Sequence, residues 1–210
     1  MTSTLLDPTV RTLLADLFAQ AARDDQLPAR HLPEDSKGRA DALADVYMPV
    51  SESGGLLLYS LVRAIRPEVV VEFGTSYGIS TLHLAAAIAD NGTGHVFGTE
   101  LSATKVTAAQ ANLATAGLAE HVTILAGDAL TTLREVPGPI GLVLLDGWKE
   151  LSVPVLRLLE PKLAPGALVV ADDITLSSMR PYLEHVRDPA NGYLGVEFPV
   201  EDGMEISCRV

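Results

Sequence analysis

Four residues in two stretches of this chain have the types and spacing to do chemistry together. Asp146 and Lys149 stand in Gly141-Leu-Val-Leu-Leu-Asp146-Gly-Trp-Lys149, and Asp172 and Asp173 close Ala167-Leu-Val-Val-Ala-Asp172-Asp173. Each stretch is a short apolar run ending in a carboxylate. Such runs, bounded by turn signals, read as strands buried on both faces, as in a parallel sheet. Open α/β sheets bind ligands beyond the carboxyl ends of their strands, which is where both runs deliver their acids. An edge with three acids and one lysine can hold a hard divalent cation and move a proton beside it. The ligands offered by Asp146, Asp172 and Asp173 are all oxygens, with no His or Cys among them. That favours Mg²⁺, with Mn²⁺ or Ca²⁺ as alternatives, and disfavours zinc.

The elements that would position these residues follow from periodicity. Helical spacing of Leu13, Leu14, Leu17, Phe18 and Ala21 predicts a helix over about 9–24, then a proline-containing loop over 26–37 and a short helix over 39–46. These pieces look like a helical cap over about 1–50, and could serve a dimer interface equally well. From residue 53 the pattern alternates. Helices are expected over 53–65, 80–89, 102–116, 129–136, 153–163 and 178–186, and strands over 69–73, 95–99, 122–125, 142–145 and 167–171. Ser102 reads as an N-cap and Gly117 as a helix stop. Two last strands, 194–198 and 205–209, flank Glu201-Asp-Gly203, a hairpin signal. Regular alternation of this kind predicts a doubly wound, mostly parallel sheet whose final strands are antiparallel, with residues 51–210 as the core of one domain.

A second constellation lies at the first strand, Val69-Val-Val-Glu72-Phe-Gly74-Thr-Ser-Tyr-Gly78-Ile-Ser80. Gly74 and Gly78 permit a tight strand-to-helix turn and close ligand approach. The dinucleotide fingerprint wants a third glycine between them, where this chain has Ser76. Glu72, at the strand end, can attract a cationic group. Glu100 follows the next strand and can accept from ribose hydroxyls, or can cap the region of Ser102. Asp128, in Gly127-Asp-Ala129, can reach an adenine amino group or cap its own helix.

Taken together the motifs resemble those of the class I S-adenosylmethionine-dependent methyltransferases, and more narrowly the catechol and caffeoyl-CoA type O-methyltransferases and their bacterial relatives. The resemblance rests on Met48-Pro-Val50, Val71-Glu-Phe-Gly-Thr-Ser-Tyr-Gly78, Gly127-Asp-Ala129, Leu145-Asp-Gly-Trp-Lys149, Val170-Ala-Asp-Asp173 and Glu201-Asp-Gly-Met-Glu-Ile-Ser207. It implies a seven-stranded Rossmann-like methyltransferase sheet with S-adenosyl-L-methionine as cofactor. The implied cofactor-binding residues are Met48, Val50, Glu72, Gly74, Tyr77, Ser80, Glu100, Asp128, Ala129, Asp146 and Trp148. Asp146, Asp172 and Asp173 are the implied metal ligands and Lys149 the implied general base. Asp173 stands where the family usually has Asn, which leaves the site more negative; alternatively it caps the following helix. Gly147 replaces a histidine that mammalian-type enzymes carry near the adenine. Trp148 packs either on the cofactor base or on the core edge.

The chemistry implied is in-line transfer of an activated methyl group to oxygen. A phenol, with a reference pKa of about 10, is mostly protonated at neutral pH, so the site must stabilise an oxyanion and accept a proton. Lys149 starts from a reference value of about 10.4 and has to be lowered to act as a base; metal charge and burial favour that, neighbouring aspartates oppose it.

Composition narrows the field. A chain of 210 residues with 48% hydrophobic content suits a globular α/β protein of one domain. No run reaches membrane-spanning length, the N-terminus lacks a signal-peptide pattern, and Cys208 is the single cysteine, so a cytoplasmic enzyme is the expectation. The five histidines show no metal-ligand spacing. A net charge of −12 disfavours nucleic acid and suits a small neutral or cationic ligand; the resemblance implies a small catechol-like or other vicinal-oxygen substrate. One alternative is methylation of tRNA wobble uridines, for which Arg63, Arg66 and Lys105 are the candidate basic patch. Another is an NAD(P)-dependent oxidoreductase, against which Ser76 argues.

Overall fold

The structure, a computed structural model, describes residues 3–210. Along it run α1 (Pro8–Ala21), α2 (Ser36–Ala42), α3 (Glu52–Ile65), β1 (Val69–Phe73), α4 (Ile79–Asn91), β2 (His95–Glu100) and α5 (Ala103–Thr115). Then follow β3 (Val122–Ala126), α6 (Ala129–Thr132), β4 (Ile140–Leu145), α7 (Ser152–Leu159), β5 (Leu163–Ala171), α8 (Arg180–Arg187), β6 (Tyr193–Phe198) and β7 (Met204–Arg209). The sheet order is β3-β2-β1-β4-β5-β7-β6. Strands β1 to β5 are parallel, β7 is antiparallel to β5, and β6 is antiparallel to β7. The chain thus forms the doubly wound, mostly parallel seven-stranded Rossmann-like sheet with an antiparallel C-terminal hairpin that the alternation predicts. Winding reverses between β1 and β4, which opens a crevice at their carboxyl ends.

Side-chain alternation explains why the sheet is covered on both faces. Val70, Leu142, Leu144 and Val170 pack with Val10, Leu58, Val62 and Leu82 from α1, α3 and α4. Their neighbours Val69, Val71, Val143, Leu145 and Val169 pack with Leu156, Tyr182 and Val186 from α7 and α8. Full burial of one such aliphatic side chain is worth about 1.5–3 kcal/mol, so a single slip of register would forfeit many at once.

Several boundaries differ from expectation for local reasons. Helix α1 begins at Pro8 because the Asp7 carboxylate accepts the amides of Thr9 and Val10, and it ends at Ala21, ahead of a 3-10 turn over Asp24–Gln26. Helix α2 starts three residues before the predicted 39, capped by Asp35 on the Gly38 amide. Helices predicted over 129–136 and 153–163 are shorter, each continued by a 3-10 turn, Leu133–Glu135 and Glu160–Lys162. Strand β5 begins at Leu163, before its proline, four residues earlier than the apolar run suggests. Ser102 occupies the cap position of α5 without a side-chain bond to the helix. His83 is buried on a face of α4. Its ring lies where a Cβ on Gly55 would go, 2.6 Å from Cε1. Among the described residues no helix is long and apolar enough to cross a membrane.

Candidate functional site

The loop after β1 is shaped by contacts that only glycine permits. Gly74 has φ +99°, and a Cβ there would lie 2.6 Å from the carbonyl oxygen of Asp146. The β1 and β4 ends are therefore pressed together, with the Asp146 amide donating to Phe73 O at 2.9 Å. Gly78, at φ +85°, turns the chain into α4. Ser76, between them, also has positive φ, +47°. Its amide donates to Glu100 Oε2 at 2.8 Å, which ties the loop to the end of β2.

Glu72 supports this loop from below. It is fully buried and accepts from Thr75 Oγ1 at 2.8 Å, Ser80 Oγ at 2.6 Å and Thr81 Oγ1 at 2.6 Å. Burial pushes its carboxyl up to about 7, against the lowering by those hydroxyls. Glu72 therefore sits under the loop and not in the ligand space, which corrects its nomination as a direct cofactor contact. Its two oxygens are engaged with hydroxyls of the loop and of α4.

The N-terminal segment closes over the loop. Asp24 Oδ2 accepts the amides of Tyr47 at 2.8 Å and Met48 at 2.9 Å. The Tyr47 ring stacks on Tyr77 at 3.8 Å, Ser76 Oγ donates to Tyr47 O at 2.7 Å, and Tyr77 Oη donates to Ala44 O at 2.8 Å. Between the two layers is a narrow cleft lined in part by Met48, Val50, Gly74, Tyr77, Ser80 and Asp146. The structure brings these six nominated residues to one cavity.

The other nominees lie elsewhere. Glu100 spends both oxygens on backbone amides, of Ser76 and, at 2.7 Å, of Ser102, so the capping alternative is realised whatever it does for a ligand. Asp128 caps α6, accepting the Leu130 amide at 3.0 Å, and Ala129 is buried at that helix's start. Trp148 lies under the Arg39 guanidinium, 4.7 Å from its ring centre, and Arg39 also pairs with Glu150. Gly147 has no room for any side chain, since a Cβ would meet the Phe73 ring at 2.6 Å.

The acidic edge is next to the cleft and shares Asp146 with it. Register pairs Leu145 with Ala171, so Asp146 and Asp172 leave adjacent strand ends together. Lys149, in a 3-10 turn after β4, places Nζ 2.8 Å from Asp146 Oδ1 and 2.9 Å from Asp173 Oδ2. Asp173 adopts φ +56°, and its side chain engages the lysine; the turn that precedes α8 has no side-chain cap, so the capping alternative for Asp173 is not realised. Burial by itself would lower the Lys149 ammonium, but Asp146 and Asp173 outweigh it and hold the group above the ordinary lysine value. In this arrangement Lys149 is a charged ion-pair partner, the reverse of the depressed value a base needs. Asp172, nine-tenths buried, is pushed up by burial and by the charges of Asp146 and Asp173.

The donor set fits a hard cation in kind and in charge, because three carboxylates face one ammonium. The arrangement is not a ready-made coordination sphere: among the described residues no three acidic, His or Cys side chains are grouped to hold an ion.

Sequence reasoning missed Tyr47, whose ring walls the cleft, and the cap residues Asp24 and Arg39. Only long-range contacts reveal them. Lys105 was nominated with Arg63 and Arg66 as a surface patch, and that expectation is corrected. Lys105 is 3% exposed, while Arg63 donates to Asn91 Oδ1 at 2.7 Å and Arg66 to Asn91 O at 2.9 Å. The three cations do not form a common outward face.

Comparison with known proteins agrees with the geometry. A family model described as a methyltransferase domain matches residues 71–174, from within β1 to just past β5, a span that includes the glycine loop and the acidic edge. Catechol O-methyltransferase of Mycobacterium tuberculosis is 33% identical over 136 residues, covering 64% of this chain and 61% of that protein. Catechol O-methyltransferase B of Danio rerio is 29% identical over 174 residues, covering 76% of this chain and 65% of that protein. The chain thus spans just under two thirds of the length of these relatives. A solved cofactor-bound protein from MTB is 26% identical with a TM-score of 0.72, covering 94% of this chain and 89% of that one. The sheet order and glycine loop are those of a Rossmann-like methyltransferase fold, residues 71–174 match a methyltransferase domain, and catechol O-methyltransferases are among the proteins the chain is similar to.

Proposed function

We propose that this chain, working as one domain, is an S-adenosylmethionine-dependent and divalent-cation-dependent O-methyltransferase acting on a small catechol-like or other vicinal-oxygen substrate in the cytoplasm. One observation carries the reading. Asp146 both lines the glycine-loop cleft and pairs with Lys149, so a ligand in the cleft and the acid–lysine cluster are in reach of one another.

Each residue then has a physical task. Gly74 and the backbone to Gly78 admit the cofactor close to the chain, and Met48, Val50, Tyr77 and Ser80 wall it in. Glu100 holds the loop by the Ser76 amide, and each of its oxygens retains a lone pair for a ribose hydroxyl. Asp146, Asp172 and Asp173 would hold Mg²⁺, or Mn²⁺ or Ca²⁺. Such an ion supplies Lewis acidity that favours a deprotonated acceptor oxygen and orients two vicinal oxygens. Lys149 stabilises the oxyanion while charged, and can take the acceptor's proton once it has left its two aspartates and lost its own proton to solvent.

The burial of Lys105, which leaves no shared outward patch with Arg63 and Arg66, favours a small substrate over tRNA. The test is calorimetry with S-adenosylmethionine followed by a catechol panel with and without chelator. Cofactor binding that survives chelation, with turnover lost, is the expected pattern. Turnover undiminished in excess chelator removes the cation from the proposal, and heat on titrating NADH but none on S-adenosylmethionine removes methyl transfer altogether. Light scattering distinguishes a monomer from a homodimer.

A further inference from the structure

Three carboxylates meet at the ends of β4 and β5 without forming a coordination sphere among the described residues, and the Lys149 ammonium lies between two of them. Its Nζ bridges Asp146 Oδ1 at 2.8 Å and Asp173 Oδ2 at 2.9 Å, distances of charge-assisted hydrogen bonds. The lysine side chain is 13% exposed, so the bridge is largely shielded from water. Asp172 is 9% exposed and makes no ion pair of its own with Lys149, so a third buried acid stands beside the bridge. The edge carries three acids and a single cation, and that cation is tethered to the chain.

We propose that the Lys149 ammonium holds the place of a cation between Asp146 and Asp173, and that a divalent ion enters this edge only by displacing it. The inference rests on the cation reading given above and adds an order of events to it. An oxygen-ligated ion sits about 2.0–2.6 Å from its carboxylates, so one bound to the same two aspartates would crowd an ammonium already in contact with them. Like charges at that range in a shielded site repel strongly. One ion exchange therefore does two things: it neutralises Asp172 along with its neighbours, and it frees the amine from both anchors. Asp173 is integral to the device, because a neutral amide in its place would leave the amine only one charged anchor.

Manganese is the probe, used alone with the full chain. Calorimetry and paramagnetic resonance should show Mn²⁺ bound at least about tenfold more tightly by Lys149→Met than by the unaltered chain, a displacement of roughly 1.4 kcal/mol. The second arm needs no substitution. An amine-directed acylating reagent, read by mass spectrometry at the peptide carrying Lys149, should label that residue several-fold faster in saturating Mg²⁺ than in chelator. Equal or weaker Mn²⁺ binding by Lys149→Met, with the unaltered chain binding normally, overturns displacement and leaves the cation site standing. Absence of Mn²⁺ binding by either chain overturns both. If circular dichroism shows Lys149→Met unfolded, labelling decides, and a Lys149 rate unchanged by Mg²⁺ refutes the proposal.

Discussion

The two halves of the site solve the burial of acids in opposite ways. Under the glycine loop, Glu72 is wholly enclosed, yet both of its oxygens accept hydroxyls from neighbouring turns. Glu100 is likewise satisfied by two backbone amides. At the β4–β5 edge, Asp146, Asp172 and Asp173 share one lysine and press on one another. A buried polar group with its hydrogen bonds made is a structural element; a buried charge without its counter-charge waits for something. The loop half is thus organised before any ligand arrives, and the edge half is left electrostatically incomplete.

That contrast can be broken by experiment. The largest effect is expected from Gly74→Ala, since positive φ and a Cβ 2.6 Å from Asp146 O cannot both be relieved. A loss on the order of 4 kcal/mol in urea denaturation, with cofactor binding lost as well, is expected. A loss below about 1 kcal/mol would show the loop to be less rigid than described. Lys149→Ala should lower turnover by about 10²–10⁴-fold while S-adenosylmethionine affinity stays within about twofold, because the lysine belongs to the edge and not to the loop. An unchanged rate would end its chemical assignment.

Asp172→Asn sharpens the claim of incompleteness. Removing a buried like charge should raise the stability of the chelated chain by about 1 kcal/mol or more in urea, while removing turnover. A destabilised variant would mean that the edge is balanced after all.

The loop half makes a pH prediction. Glu72 is raised from its ordinary 4.5 to about 7 by burial. Between those values the folded chain binds the proton that the unfolded chain has lost, so this group's contribution to stability falls as pH rises through the window and levels off above it. The stability of the unaltered chain relative to Glu72→Gln should therefore decline from pH 4.5 to 7 in parallel denaturation curves. A flat difference would show that the hydroxyls fully offset burial. The smallest effect belongs to Arg39→Ala, which removes the cover of Trp148 and the pairing with Glu150. About 1 kcal/mol or less is expected, with the Tyr47–Tyr77 contact intact by hydrogen exchange.

Much of this was legible along the chain. Apolar runs over Val69–Phe73, Leu142–Leu145 and Ala167–Ala171 announce buried strands, and Gly74 and Gly78 announce the turn, because strand burial and positive φ are constraints that act on neighbouring residues. Asp-Gly at 202–203 marked the C-terminal reversal, although the positive φ falls on Glu201 and Gly203. Helix ends were read less well. Asp7 and Asp35 fix the starts of α1 and α2 by single side-chain bonds that compete with weak propensities.

The sequence by itself determined the alternation of strands and helices, the register of the apolar faces, and the delivery of Asp146, Asp172 and Asp173 to one end of the sheet. Only the tertiary structure decided which charge each acid faces. It put hydroxyls on Glu72, amides on Glu100, and the Lys149 ammonium between Asp146 and Asp173, and it turned Lys105 inward. The reason is one of range. Periodicity and turn chemistry are set within a few residues, whereas the environment of a charge depends on groups brought together from distant segments as the sheet closes and water leaves.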